Sequence, residues 1–158
     1  MLNVKTITKL FTFLFSILLF ANFCFAEVRS LKNNTVNVRL GPSKTYPVKF
    51  VYKNKYFPVT IIDEHYNWRK IIDHENDSGW IHISQLSKIR TTITTKDNMI
   101  VFSSPSIYSS PKVKLEINQV LIIKQCDEQW CQIKNSNVKG WVQKKGLWKI
   151  KKDEIIPK

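Results

Sequence analysis

Cys126 and Cys131 flank "DEQW" and are the only cysteines downstream of residue 26. Thiols five apart can do three things: close a disulfide, hold half a metal site, or supply a nucleophile. A metal needs more ligands than two thiols, and no histidine lies nearby in sequence to add one. A catalytic thiol wants a base, and the chain after His82 contains no histidine. If the two cysteines face each other across a hairpin, they lie within disulfide reach, and that is the expectation here. The three histidines, His65, His74 and His82, match no zinc-ligand spacing. Ser43 follows Gly-Pro and does not sit in a Gly-x-Ser-x-Gly elbow. Asp63 and Glu64 are adjacent, so on a strand they face opposite ways and make a poor acid/base pair. With four glycines in all, there is no phosphate-cradling loop. The residues therefore point away from an enzyme, and no cofactor, metal or catalytic residue is expected.

What remains are aromatics. "NWRKIIDHENDSGWIH" (67–82) and "QWCQIKNSNVKGWVQ" (129–143) repeat one pattern: Trp, an isoleucine, a polar turn, then Gly-Trp and an aliphatic. Pro42 aligns with Pro105, Trp68 with Trp130 and Gly79-Trp80 with Gly140-Trp141, at offsets of 63, 62 and 61. Internal repeats take priority over any local assignment. Each unit reads as short strands and turns: "TVNVRL", the loop "GPSKTYP", then "FPVTIID", "NWRKII", the turn "DHENDSG" and "WIHIS". Helical periodicity is absent from residue 27 onward. "SKIRTTITTK" between the units is Thr/Ile-rich and reads as a closing strand, not a flexible linker. A unit this small buries little surface alone, and two side by side can share an interface.

Strand alternation puts Ile71, Ile81 and Ile83 on a core face, with Trp68 and Trp80 on the other. With Tyr46 and Tyr66 they could form a groove for a glycan or an extended peptide. They could equally pack beneath the "GPSKTYP" loop and hold the sheet shut, which small folds need. Aligning the tryptophans sets Cys126 over Glu64 and Cys131 over Arg69. If the cysteines oppose each other, Glu64 and Arg69 should too.

The N-terminus has Lys5 and Lys9, an apolar run from Leu10 to Ala26, and small residues at Cys24 and Ala26. This is the pattern of a signal peptide cleaved after Ala26. An uncleaved anchor is the alternative, although the run falls a little short of the about 20 residues a span needs. The large Phe23 argues against lipidation at Cys24. Export fits a periplasmic or secreted location and an oxidising compartment. Removing residues 1–26 leaves 23 Lys+Arg against 12 Asp+Glu, a net +11. That surplus favours anionic partners, and export disfavours nucleic acid. The cations are scattered, however, and a Lys/Asn/Ile-rich composition accounts for them equally well.

"NVRLGPSKTYPV", "NWRKI" and "GWIH" resemble the bacterial SH3-type (SH3b) domain. The order of pieces over about residues 35–148 is similar to that of exported two-repeat SH3-like proteins of alphaproteobacteria. The resemblance implies an all-β chain of two tandem small five-stranded barrels after a signal peptide: 1–26 signal, 27–90 repeat 1, 91–150 repeat 2, and 151–158 a charged, solvated tail. It also implies a stand-alone binding module whose partner is peptidoglycan or another envelope component, or else an envelope protein presenting an extended peptide. Repeat 2 departs from the pattern. Where repeat 1 has Arg39, Leu40, Gly41 and Pro42, it has Phe102, Ser103, Ser104 and Pro105. The expected groove therefore belongs to repeat 1, with Tyr46, Tyr66, Trp68 and Trp80 as contacts and Arg39, Gly41 and Pro42 shaping the loop. Glycine at 41 would supply backbone angles that serine disfavours.

Overall fold

A computed structural model of the chain describes residues 27–135 and 137–157. The expected signal peptide and its cleavage point lie outside the described residues. Among those described, no helix is long and apolar enough to cross a membrane.

The chain is all β, in two sheets. The first holds β1 (Glu27–Leu31), β2 (Val36–Arg39), β3 (Val48–Tyr52), β4 (Pro58–His65), β5 (Trp68–Ile72), β6 (Ser78–His82) and β7 (Leu86–Ser87). Its spatial order is β3-β2-β6-β5-β4-β1-β7. The second holds β8 (Thr91–Ile93), β9 (Met99–Phe102), β10 (Pro111–Leu115), β11 (Val120–Cys126), β12 (Trp130–Lys134) and β13 (Lys139–Gln143), in the order β10-β9-β13-β12-β11-β8. The antiparallel pairings β2-β6-β5-β4 and β9-β13-β12-β11 are the same design written twice. "VKFVY" and "EVRSL" are strands that sequence patterning alone did not single out.

Alternation builds each core. In β2, Val36 and Val38 are buried and Asn37 is exposed. Leu31, Val59, Ile71 and Ile81 complete the first core, flanked by Phe50, Tyr52, Phe57, Ile61 and Leu86. The second core gathers Val101, Leu115, Leu121, Ile133 and Val142 around Cys126 and Cys131. Ile83 departs from the expected core face and is 43% exposed. The cause is local: after His82 the chain leaves the sheet for a 3-10 turn, Ile83–Gln85, so strand alternation stops one residue short of it.

The hairpin register is as the alignment required. Cys126 pairs with Cys131 and Glu64 with Arg69. The cysteines form a disulfide, with Cα atoms 4.1 Å apart. In repeat 1 the same place holds an ion pair, Arg69 Nη2 to Glu64 Oε2 at 3.3 Å. Closing so short a loop covalently is worth about 2 kcal/mol. The exposed pair is worth under about 1 kcal/mol.

The segment joining the repeats divides its service. Leu86–Ser87 ends the first sheet and Thr91–Ile93 edges the second. Thr91, Thr92 and Thr94 are fully buried polar residues. Thr92 Oγ1 donates to the Trp148 carbonyl (2.8 Å) and Thr94 Oγ1 to that of Glu116 (2.7 Å). Across the seam, His74 of the β5–β6 turn reaches Asn118 of repeat 2 (3.1 Å) and lies between the rings of Phe57 and Trp148. The turn itself is tied by Asp73. Its Oδ1 accepts from the N–H groups of Glu75 and Asp77, and its Oδ2 from the Tyr52 hydroxyl.

The C-terminal segment keeps Lys151 and Lys152 exposed, as expected of a solvated tail, but its backbone is docked. Cys126 and Ile156 exchange backbone hydrogen bonds, and Glu154 pairs with Arg90 at 3.0 Å. The Ile156 bridge gives the edge of β11 a partner that composition could not announce.

Candidate functional site

The outer face of repeat 1 is built in rows, because directly opposed strand residues share a face. One row runs Asp63, Lys70, Trp80, Arg39; the next runs His65, Trp68, His82. Behind them Val38, Ile71 and Ile81 are fully buried, so the tryptophans point away from the core. A small groove of about 180 Å³ opens on this face, lined by Thr35, Asn37, Arg39, Lys44, Trp68, His82 and Gln85. Trp68 is half-buried and its ring meets His82 edge-on, with centroids 5.4 Å apart. His82 Nδ1 accepts from the Ser84 backbone N–H at 3.3 Å. Nδ1 also lies 2.8 Å from the Ser84 hydroxyl, so Ser84 fixes the orientation of the ring at the groove wall.

The expected residues divide around this groove. Trp68 and Arg39 line it. Trp80 sits one step along the same face, opposite Arg39. Tyr46 belongs to the loop and receives one Arg39 N–H on its backbone carbonyl (2.7 Å), which fixes the guanidinium beside the groove. Tyr66 is 88% exposed at the tip of the β4–β5 hairpin, its ring against His65. It adopts φ 46°, the left-handed geometry of a tight two-residue turn. Pro42 is half-buried in the loop. Gly41 is required for a reason other than backbone angle, since its φ is not positive. A Cβ there would come within 2.6 Å of the Tyr46 ring, so the glycine lets that ring fold onto the loop. Thr35, Asn37 and His82 were missed. Their signal was legible as the alternate positions of the strands that carry Arg39 and Trp80.

Repeat 2 has the equivalent groove with its chemistry inverted. Its cleft of about 320 Å³ is lined by Asn98, Met99, Ile100, Phe102, Ile107 and Gln143, among others. Phe102 pairs with Trp141 as Arg39 pairs with Trp80. The Phe102 ring packs edge-on against Trp130, with centroids 5.5 Å apart. Trp130 is consequently 7% exposed. One aromatic in place of one arginine covers the second tryptophan and leaves the first open.

Among the described residues, no three His, Cys, Asp or Glu side chains are grouped to hold a metal ion. The titration that stands out is structural. Tyr52 is held far above the ordinary tyrosine value, first by burial and then by its hydrogen bond to Asp73.

The bacterial SH3 domain profile matches the chain twice, over residues 32–88 and 95–149. No curated protein matches. Among solved structures, NlpC2 and NlpC1 from Trichomonas vaginalis are each 14% identical over 82% of this chain, with TM-scores of 0.37. They are covered to 50% and 48% of their own length. An NlpC/P60 family protein from Bacillus cereus is 13% identical over 77% of this chain and 55% of its own, with a TM-score of 0.36. The chain thus spans about half the length of these structures. The two matches together take in well over half of the chain, which therefore belongs to the bacterial SH3 domain family, as a tandem pair.

Proposed function

We propose that this tandem bacterial SH3 protein is an exported, non-catalytic binding module that holds a bacterial envelope polymer, peptidoglycan first, on the outer face of repeat 1. The observation that carries this reading is the contrast between the grooves. Trp68 is left open beside Arg39, whereas Trp130 is covered by Phe102. An indole face suits a sugar ring or a peptide plane, and Asn37, Thr35 and Gln85 offer hydrogen bonds to hydroxyls and amides. Arg39 and Lys44 suit carboxylates on a wall peptide. At about 180 Å³ the groove is smaller than a typical small-molecule pocket. A polymer lying across the face fits it better than an engulfed metabolite. The net charge of +11 after residue 26 aids approach to an anionic surface.

The test is co-sedimentation with purified peptidoglycan. Trp68→Ala combined with Tyr46→Ala should abolish retention with the β circular dichroism unchanged. Trp130→Phe should retain binding. Retention by an envelope protein's peptide but not by peptidoglycan would replace the polymer with a protein partner. Loss of binding in folded Trp130→Phe alone would move the site to repeat 2.

A further inference from the structure

The C-terminal segment lines a third pocket, of about 450 Å³, at the end of repeat 2 remote in sequence from the Trp68 groove. Glu128 and Gln129 come from the β11–β12 turn, Gln143, Lys144 and Lys145 from the end of β13, and Ile150 and Lys152 from the docked segment. Lys144 is only 6% exposed. Its Nζ donates to the carbonyls of Glu154 (2.7 Å) and Lys152 (3.1 Å). Both partners are neutral, and two bonds leave one ammonium N–H of three. Among the described residues no carboxylate pairs with it, and the nearby Glu154 side chain is committed to Arg90 and to the Lys151 N–H. Buried lysines are almost always paired with an acid. This one is instead accompanied by two more cations, Lys145 and Lys152, on the same pocket wall. Repeat 1 has no counterpart. Ile83 donates its N–H to Asn67 as Lys144 does to Gln129, yet Ile83 is exposed.

We propose that this pocket is a binding site for a small zwitterionic ligand, an amino acid or short peptide with a free carboxylate. The carboxylate supplies the missing counter-ion to Lys144 and meets Lys145 and Lys152. Gln129 and Gln143 match a peptide amide. Glu128 on the rim opposes a multiply charged anion and favours a ligand with an amino group at its other end. The site stands apart from the groove at Trp68, and its claim holds whether or not that groove binds wall polymer.

The experiment titrates the full mature chain with alanyl-alanine, followed by amide NMR shifts. Saturable shifts should centre on residues 128–129 and 143–152. Amidating the peptide's carboxylate should weaken binding at least about tenfold, the scale of one lost charge-assisted contact. Lys145→Met combined with Lys152→Met, both at exposed positions, should do the same with unchanged melting. Glu128→Gln should erase the preference for the free over the N-acetylated peptide. Arg39→Phe should leave all of this untouched. Three results would overturn the proposal: absence of saturation, shifts that survive the double lysine variant, and inorganic phosphate binding more tightly than the peptide.

Discussion

Arg39 and Phe102 occupy the same place in the two repeats, opposite Trp80 and Trp141, and they decide which tryptophan is open. Writing the repeat 2 residue into repeat 1, Arg39→Phe, should therefore cover Trp68. Retention on peptidoglycan should fall at least about tenfold, or ~1.4 kcal/mol, with the thermal transition preserved. A second residue-scale consequence belongs to Tyr52. Its folded form resists ionisation, so folded chains bind more protons than unfolded ones once the pH exceeds the ordinary tyrosine value of about 10. The stabilisation is complete below that value and is lost progressively above it, toward the raised folded value. Urea unfolding should show stability falling as the pH rises past about 10, and Tyr52→Phe should lessen the fall. The same variant should cost about 1 kcal/mol near neutrality, the worth of its bond to Asp73. The tryptophans and Arg39 were readable as site candidates because their positions repeat or conspicuously fail to. The glycine at 41 was readable only as a glycine. Its reason, a tyrosine ring folded onto it, is a tertiary contact that no local pattern encodes.

At the scale of elements, the β4–β5 and β11–β12 hairpins are the same object closed by different chemistry. Reducing the disulfide, or replacing both cysteines by alanine, should cost about 2 kcal/mol. It should also loosen the C-terminal segment, because Ile156 bonds the backbone of Cys126. Glu64→Gln should cost under about 1 kcal/mol. Denaturant melts with and without reductant measure the first, and protease sensitivity near residue 156 measures the second. These registers were legible because two aligned copies constrain each other: a pairing inferred for the cysteines had to hold for Glu64 and Arg69. Strands whose two copies differ in sequence fared worse. "EVRSL" takes the place in the first sheet that "TTI" takes in the second but shares no residue pattern with it, and "VKFVY" pairs only at the edge, where burial and hence alternation are weak. Ile83 was misplaced because a backbone turn, not its own hydrophobicity, ends the strand.

For the whole molecule, the joint between repeats is a buried threonine-rich edge strand and a histidine wedged between rings of both units. The two sheets are thus locked together, with the repeat 1 tryptophan bordering a groove on its outer face and its repeat 2 counterpart covered by Phe102. Charge could not reveal this, since lysines lie throughout the chain, and the docking of residues 151–157 depends on carbonyls that no side-chain pattern records. On the reading proposed above, the duplicated fold has one polymer-binding face, on repeat 1. Five tryptophans give five indole N–H resonances to test it. On titration with soluble peptidoglycan fragments, the Trp68 indole should shift, together with the Asn37 and His82 amides, and the Trp130 indole should stay in place. A shift of Trp130 with Trp68 unmoved would place the polymer on repeat 2 instead.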